Sequence, residues 1–350
     1  MSDPATTLPG GPAPHEPSDP GTPGLPPGPD SGLGPASVSV SGFGPVSEPA
    51  SDLDSEPGSG SDLGPDTASR LGLPRRGTGG ARAIVRRPGL VLSVLFLVLV
   101  LAWALTPGVF APFDPLVGSP KDKLLPPNGT YWFGTDHLGR DLFSRVVHGA
   151  SLSLTATALA VLVGFLAGSS LGLLSGYLGG RFDDAVMRCV DVLLSIPGLL
   201  LSLAVVTVLG FGTLNVAVAV GVAAVAGFAR VMRADVLRAR TQVFVEAAEA
   251  LGVGRWRSLI RHVLPHAVGS VLVMAALEFG TAILAVSSLS FLGFGAPPPA
   301  PEWGSLVSEG RNYLVSAWWL TTLPGAVIVL TMLATNRVAR ALDAGRGDDR

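Results

Sequence analysis

The chain has 350 residues, with 24 Lys plus Arg against 26 Asp plus Glu and a formal charge of −2. Charged residues make up 14%, well short of the about 25% usual in soluble domains, and the mean hydropathy of +0.49 excludes an ordinary soluble globule in favour of a multi-pass membrane protein. The single cysteine, Cys189, excludes an intrachain disulfide framework and a thiolate zinc cluster.

Residues 1–69 hold ten acids and no Lys or Arg, so the rest of the chain carries the other 16 acids against all 24 bases. This first segment is rich in Pro, Gly, Ser and Asp and lacks the apolar content to offset the entropy of ordering, so it is expected to be a disordered tail. Met1 to Pro20 has neither a basic start nor an apolar core, so the tail is expected to stay with the mature chain rather than act as a secretory signal. Six arginines follow, at 70, 75, 76, 82, 86 and 87.

Pro88 to Phe113 is free of charge and long enough for a first transmembrane helix. An outside loop of roughly 40 residues comes next. In it, Thr135, Asp136, Gly139, Arg140 and Asp141 fit a binding surface or outer gate as well as they fit a helix cap, at Thr135 or Asp136, followed by a glycine turn. A second crossing runs from Val146 to Gly180, with Gly164, Gly168, Gly172, Gly176 and Gly180 every four residues on one face. Close helix packing is favoured there over a substrate path.

Val192 to Ala229 is uncharged for about 57 Å as a single helix, nearly twice the hydrocarbon thickness. It therefore divides into a third helix that begins near Arg188 and a fourth that ends near Met232, with the break at Gly210 to Asn215. Asp183, Asp184 and Asp191 are expected to cap helix ends or pair with Arg181 and Arg188. A fifth crossing spans His266 to Gly295 and contains Glu278, read as structural or pore-facing ahead of a proton carrier. A sixth spans Ser316 to Val338. This layout puts 19 bases inside and five outside, with both termini in the cytoplasm. The bases flank apolar runs instead of forming a stripe, which argues against nucleic acid.

No phosphate-binding Gly-x-x-x-x-Gly-Lys-Ser/Thr loop occurs, and His262 and His266 straddle Pro265, a poor setting for a metal pair. The informative inside segment is "VFVEAAEALGVGRWRSLIRHVLPHA". It reads as a short helix, a bend at Gly252 and Gly254, and a second short helix along the cytoplasmic face. Phe244, Leu251, Trp256, Leu259 and Ile260 would be ready to dock, with Arg255, Arg257 and Arg261 facing water or headgroups; an interfacial helix without a partner is the alternative.

Glu246, Ala247, Ala248, Gly252, Leu264 and Pro265 at these spacings resemble the "EAA" loop of permease subunits of binding-protein-dependent ABC importers. "FGTDHLGRDLFSRVVHGASLSL", "GYLGG", "LSFLGFGAPPPAPEWG" and "LPGAVIVLTMLATN" resemble the C-type subunit of the dipeptide, oligopeptide and nickel branch over about residues 85–345. The resemblance implies an all-α, six-helix type I importer permease fold. It divides the chain into a tail over 1–84, a first helix and outer loop over 85–148, an importer domain over 149–342 with a coupling loop near 241–265, and a C-terminal tail over 343–350. It further implies a homologous B-type permease, two ATPase subunits and an extracytoplasmic binding protein as partners, embedded in membrane lipid.

On that carry-over, ATP and Mg are bound by the ATPase partners and this chain holds no cofactor, metal or catalytic residue of its own. Glu246 would make polar contacts in an ATPase groove, Ala247 and Ala248 would permit close approach, and Gly252 would set the bend. Two departures are local: His262 stands where an isoleucine is frequent, and Val286 where relatives often carry a glutamate. The expected solute is a di- or oligopeptide, with nickel or another small solute as the alternative. The rival class is a proton-coupled secondary transporter; a membrane-embedded enzyme is weaker still, for lack of a nucleophile and base or a metal-ligand set.

Overall fold

The computed structural model describes residues 88–347, and of residues 246, 248, 249, 255 and 345–347 only the backbone. The expected disordered tail lies outside the described residues. Among those described, the secondary structure is helical apart from one isolated bridge, Thr135 to Asp141. Five helices are long and apolar enough to cross a membrane, and a bent pair supplies a sixth crossing if counted as one span.

Helix α1 (Pro88–Leu105) is apolar except for Ser93 and ends before Pro107, which starts the single turn α2 (Pro107–Phe110). Helix α3 (Leu142–Leu178) follows a long loop. The third crossing departs from expectation. Instead of one helix from near Arg188, α4 (Gly180–Ser195) and α5 (Gly198–Leu209) meet at 97°. Pro197 has no N–H to continue α4 and holds Ile196 extended at φ −93°, ψ 130°. At 12 residues, α5 is about 18 Å long, too short to cross alone. The next break falls where the glycines predict it: α6 (Thr213–Arg240) starts after Gly210 and Gly212, both at positive φ.

The strongest packing feature is the glycine ridge of α3 against α6. A Cβ at Gly168 would lie 2.5 Å from the Val225 carbonyl oxygen, and one at Gly172 would collide with the Ala229 carbonyl. Gly221 of α6 receives α3 in return, with the Ala160 carbonyl 2.7 Å from its would-be Cβ. Gly180 is not part of the ridge; it begins α4 beyond the break at Gly179, with open space around it. In lipid, helices have no hydrophobic drive toward each other, so this backbone approach supplies the dispersion contacts that hold the pair.

Two apolar clusters complete the interior. One joins α6 (Phe228, Met232, Val236) to Val263, Ala267 and Val271 of the fifth crossing. The other joins Val100 and Trp103 of α1 to Val146 and Val147 of α3, together with Trp303 of α10 (Trp303–Gly310) and Leu320 of α11 (Trp319–Gly347). Trp303 is fully buried and donates its indole N–H to the Val146 carbonyl at 2.8 Å.

Gly172→Val is expected to overpack the ridge at a cost of about 1–3 kcal/mol and to lower the melting midpoint of the detergent-purified chain. Gly325→Ala, where a Cβ meets nothing within 4 Å, serves as the control and should leave the midpoint unchanged or raised. Equal midpoints for the two variants would contradict the packing account.

Candidate functional site

The segment between α6 and the fifth crossing forms one short helix and one bend. Helix α7 (Val243–Ala250) begins just past α6, with the Val245 N–H on the Gln242 carbonyl at 2.9 Å. It closes with the Leu251 N–H on the Ala247 carbonyl at 3.1 Å, and Gly252 then turns the chain at φ +84°. A Cβ at Gly252 would meet nothing within 4 Å, so glycine is required there by the left-handed backbone and not by crowding.

The expected second short helix is instead the root of the fifth crossing. Helix α8 (Arg255–Ser258) passes through a π-helical turn at Leu259–Val263 into α9 (Leu264–Phe291), as one 36-residue helix from Trp256. The cause is Pro265. Its ring and missing N–H disturb the ordinary ladder, and the widened turn absorbs this by letting the Leu264 N–H reach the Leu259 carbonyl. Of the six expected site residues, Glu246, Ala247, Ala248 and Gly252 thus share α7 and its bend, while Leu264 and Pro265 begin α9.

Val245 is buried in the core together with Leu259, which is therefore not available for docking as expected. Ala247 is exposed. Val243 is 80% exposed, Leu251 86%, Trp256 59% and Ile260 62%, which leaves an uncovered apolar surface around the bend. Phe244 lies against His266, ring centroids 4.8 Å apart, and the His266 Nδ1 is 2.8 Å from the His262 carbonyl oxygen within the helix.

Two acids of α4 pair with arginines of α6, while Asp235 and Arg238 pair along α6 itself at 3.7 Å. Asp183 of α4 accepts two hydrogen bonds from Arg233 of α6, at 2.5 and 2.6 Å, and one from the Ser175 hydroxyl. Asp191 accepts from Arg230 of α6. Neither Arg181 nor Arg188, the partners expected from the sequence, forms an ion pair among the described residues, although Asp184 and Asp191 stand three or four places from them. At mid-crossing, Glu278 lines a cavity of about 160 Å³ beside Gly198 and Ser202 of α5 and Ala224 of α6.

At the opposite end, the loop between α2 and α3 folds around a buried ionic network. The Asp136 carboxylate accepts from Arg140 Nε at 2.7 Å, Arg145 Nη1 at 2.9 Å and the Arg140 N–H at 3.0 Å. Glu309 of α10, which the sequence reading missed, accepts from Arg145 at 2.7 and 3.2 Å and from Arg140 at 3.3 Å. The helix cap is Asp141, which accepts the Ser144 N–H at 2.8 Å, and not Thr135 or Asp136. Thr135 accepts the Leu125 N–H, and Gly139 turns at φ +76°. Oxygen and nitrogen atoms of Asp136, His137 and Glu309 lie within 4.8 Å of one another, but two guanidiniums already neutralise both carboxylates, a donor set unsuited to a cation. Glu302 was also missed. It is buried, accepts from the Ser290 hydroxyl and the Ala296 N–H, and pins the loop before α10.

Burial opposes the charge on Asp136, yet the Arg140 N–H and the Arg140 and Arg145 guanidiniums hold its carboxyl below the ordinary value. Its stabilising contribution is therefore full above the unfolded carboxylate value near 4 and is lost as the pH falls through the lower native value. Asp136→Asn should melt earlier at pH 7, by an amount reflecting about 3–5 kcal/mol for a broken buried pair. The gap from the parent should narrow only below about pH 4. A gap that is constant down to pH 3, or absent at pH 7, would contradict the assignment.

The family model for the binding-protein-dependent transport system inner membrane component matches residues 168–347. The chain is 40% identical over 262 residues to the glutathione transport system permease protein of Pectobacterium atrosepticum, covering 75% of this chain and 87% of that protein. It is 39% identical to the probable D,D-dipeptide transport system permease protein of Escherichia coli (71% and 84% covered) and 36% identical to the di/tripeptide transport system permease protein of Pseudomonas aeruginosa (75% and 88%). These relatives are transport components. The chain therefore belongs to the family of binding-protein-dependent transport system inner membrane components, as a multi-pass membrane protein with an all-helical fold.

Proposed function

We propose that this chain is one permease subunit of a type I ABC importer and forms half of a translocation pathway for di- or oligopeptides. A homologous B-type permease forms the other half, and two separate ATPase subunits bind ATP and Mg and supply the hydrolysis. An extracytoplasmic binding protein delivers the solute. The names of the relatives, which specify glutathione, a D,D-dipeptide and di- and tripeptides, support short peptides over nickel or another small solute. Counting the bent pair as one span gives six crossings with both termini on the arginine-rich side, read as cytoplasmic.

The observation that carries this reading is the uncovered apolar surface around α7 and its bend, mounted between the ends of two crossing helices. Val243, Leu251, Trp256 and Ile260 supply contact area for an ATPase groove, and exposed Ala247 permits close approach. The role is mechanical: α7 is anchored through Val245 to the core that joins α6 and α9, so its displacement moves both.

Gly252→Val forces a β-branched residue into a left-handed conformation, roughly 1–2 kcal/mol uphill. It is expected to redirect the bend, abolish peptide uptake and weaken ATPase co-purification while membrane abundance stays normal. Glu246→Lys should act alike by reversing a charge on α7. Normal uptake by both variants at normal abundance would sink the coupling role and favour the secondary carrier. Separately, reporter fusions after Pro126 and Val253 should read outside and inside; the inverted pair would mean that the helix count is wrong.

A further inference from the structure

A groove of about 630 Å³ runs between the start of α1 and the second half of α11. Leu92, Phe96, Leu330 and Leu333 wall it, and Arg337 and Arg340 close one end. Leu92, Leu330 and Leu333 are each at least half exposed. From Leu330 to Arg340 the groove extends about 15 Å at 1.5 Å per residue, the depth of one leaflet of a hydrocarbon core about 30 Å thick.

The charged end is built against the first turn of α1. A Cβ at Gly89 would lie 2.6 Å from Arg337 Cζ, so this glycine lets the guanidinium rest on the helix where it enters the membrane. Arg340 Nε donates to the Asn336 carbonyl at 3.2 Å, which fixes its guanidinium along α11. Among the described residues no carboxylate forms an ion pair with either arginine. In sequence, Arg86 and Arg87 immediately precede α1, and no acid occurs from Arg70 to Pro88.

We propose that this groove binds one acidic phospholipid, its phosphate on Arg337 and Arg340 and one acyl chain along the α1–α11 seam. Charge complementarity selects this occupant. A zwitterionic lipid brings an ammonium that the arginines repel, and a free phosphate leaves the apolar depth unfilled. Basic residues at the membrane surface each add attraction to an anionic headgroup, and two of them together correspond to about a thirtyfold preference.

The test measures lipid retention by the purified full chain with native mass spectrometry, after exchange into detergent containing phosphatidylglycerol, phosphatidylcholine or inorganic phosphate. The proposal expects one retained phosphatidylglycerol per chain, preferred about thirtyfold over phosphatidylcholine and not displaced by millimolar phosphate. R337A/R340A should lose the preference, R337K/R340K should keep most of it, and Arg188→Ala, an exposed arginine elsewhere, should keep all of it. Equal retention of the two lipids, displacement by phosphate, or an unchanged preference in R337A/R340A would overturn the proposal. Retention seen only after deletion of residues 2–69 would assign the groove to the acidic tail and overturn it equally.

Discussion

The backbone contact between α3 and α6 is the constraint on which the rest of this protein depends. Four glycines spaced by four residues clear a side-chain-free strip along one face of α3 from Gly164 to Gly176, and α6 lies against it with its Val225 and Ala229 carbonyls on the ridge. At 28 residues, α6 is about 42 Å long, so its end projects beyond a hydrocarbon core of about 30 Å. Toward that end Arg230 and Arg233 tie down α4, and Arg240 donates to the Gly176 carbonyl in the last turn of α3. The rod that leads to α7 is thereby held along its membrane length and braced where it leaves.

The second rod, Trp256–Phe291, is bound to the first at both ends. Near α7 the Ser270 hydroxyl donates to Asp235 of α6, and at the far end the Gly212 N–H donates to the Phe294 carbonyl at 2.8 Å. A force on α7 therefore acts on a braced pair and not on a loose loop. The bent pair α4–α5 packs on the same rod through Val190 and Val206, and the Glu278 cavity opens beside its break. A carboxylate at membrane depth next to a discontinuous helix is the arrangement found where transporters open a path.

Much of this architecture was legible in the sequence because lipid imposes simple rules: charge-free runs of sufficient length, arginines on one side, and glycines where backbones touch. The break at Gly210 to Gly212 and the ridge at Gly164 to Gly176 were read correctly on those grounds. The bend at Pro197 escaped because a hydropathy window registers the absence of charge and not the loss of one backbone donor. Leu259 was assigned to the docking face because the segment read as a separate short helix, whereas it is continuous with the fifth crossing and Leu259 packs into the core between α6 and α9. The Asp183–Arg233 and Arg145–Glu309 pairs join positions 50 and 164 residues apart, and no local spacing encodes such contacts. The motif residues of α7 were legible through family resemblance, and Leu251, Trp256 and Ile260 through their apolar character beside the glycine bend; Val243, 80% exposed, was not singled out.

The most direct measurement of the central claim is site-specific cross-linking. With the exposed Cys189 replaced by serine, a cysteine at Ala247 should form a disulfide with cysteines placed along the groove of a co-expressed ATPase subunit. Its yield should change between nucleotide-free and ATP-bound complexes as the rod pair moves. A cysteine at Leu116, in the loop at the opposite end of α3, should give none. Cross-links from Leu116, or none from Ala247 in a complex that still hydrolyses ATP, would contradict the account.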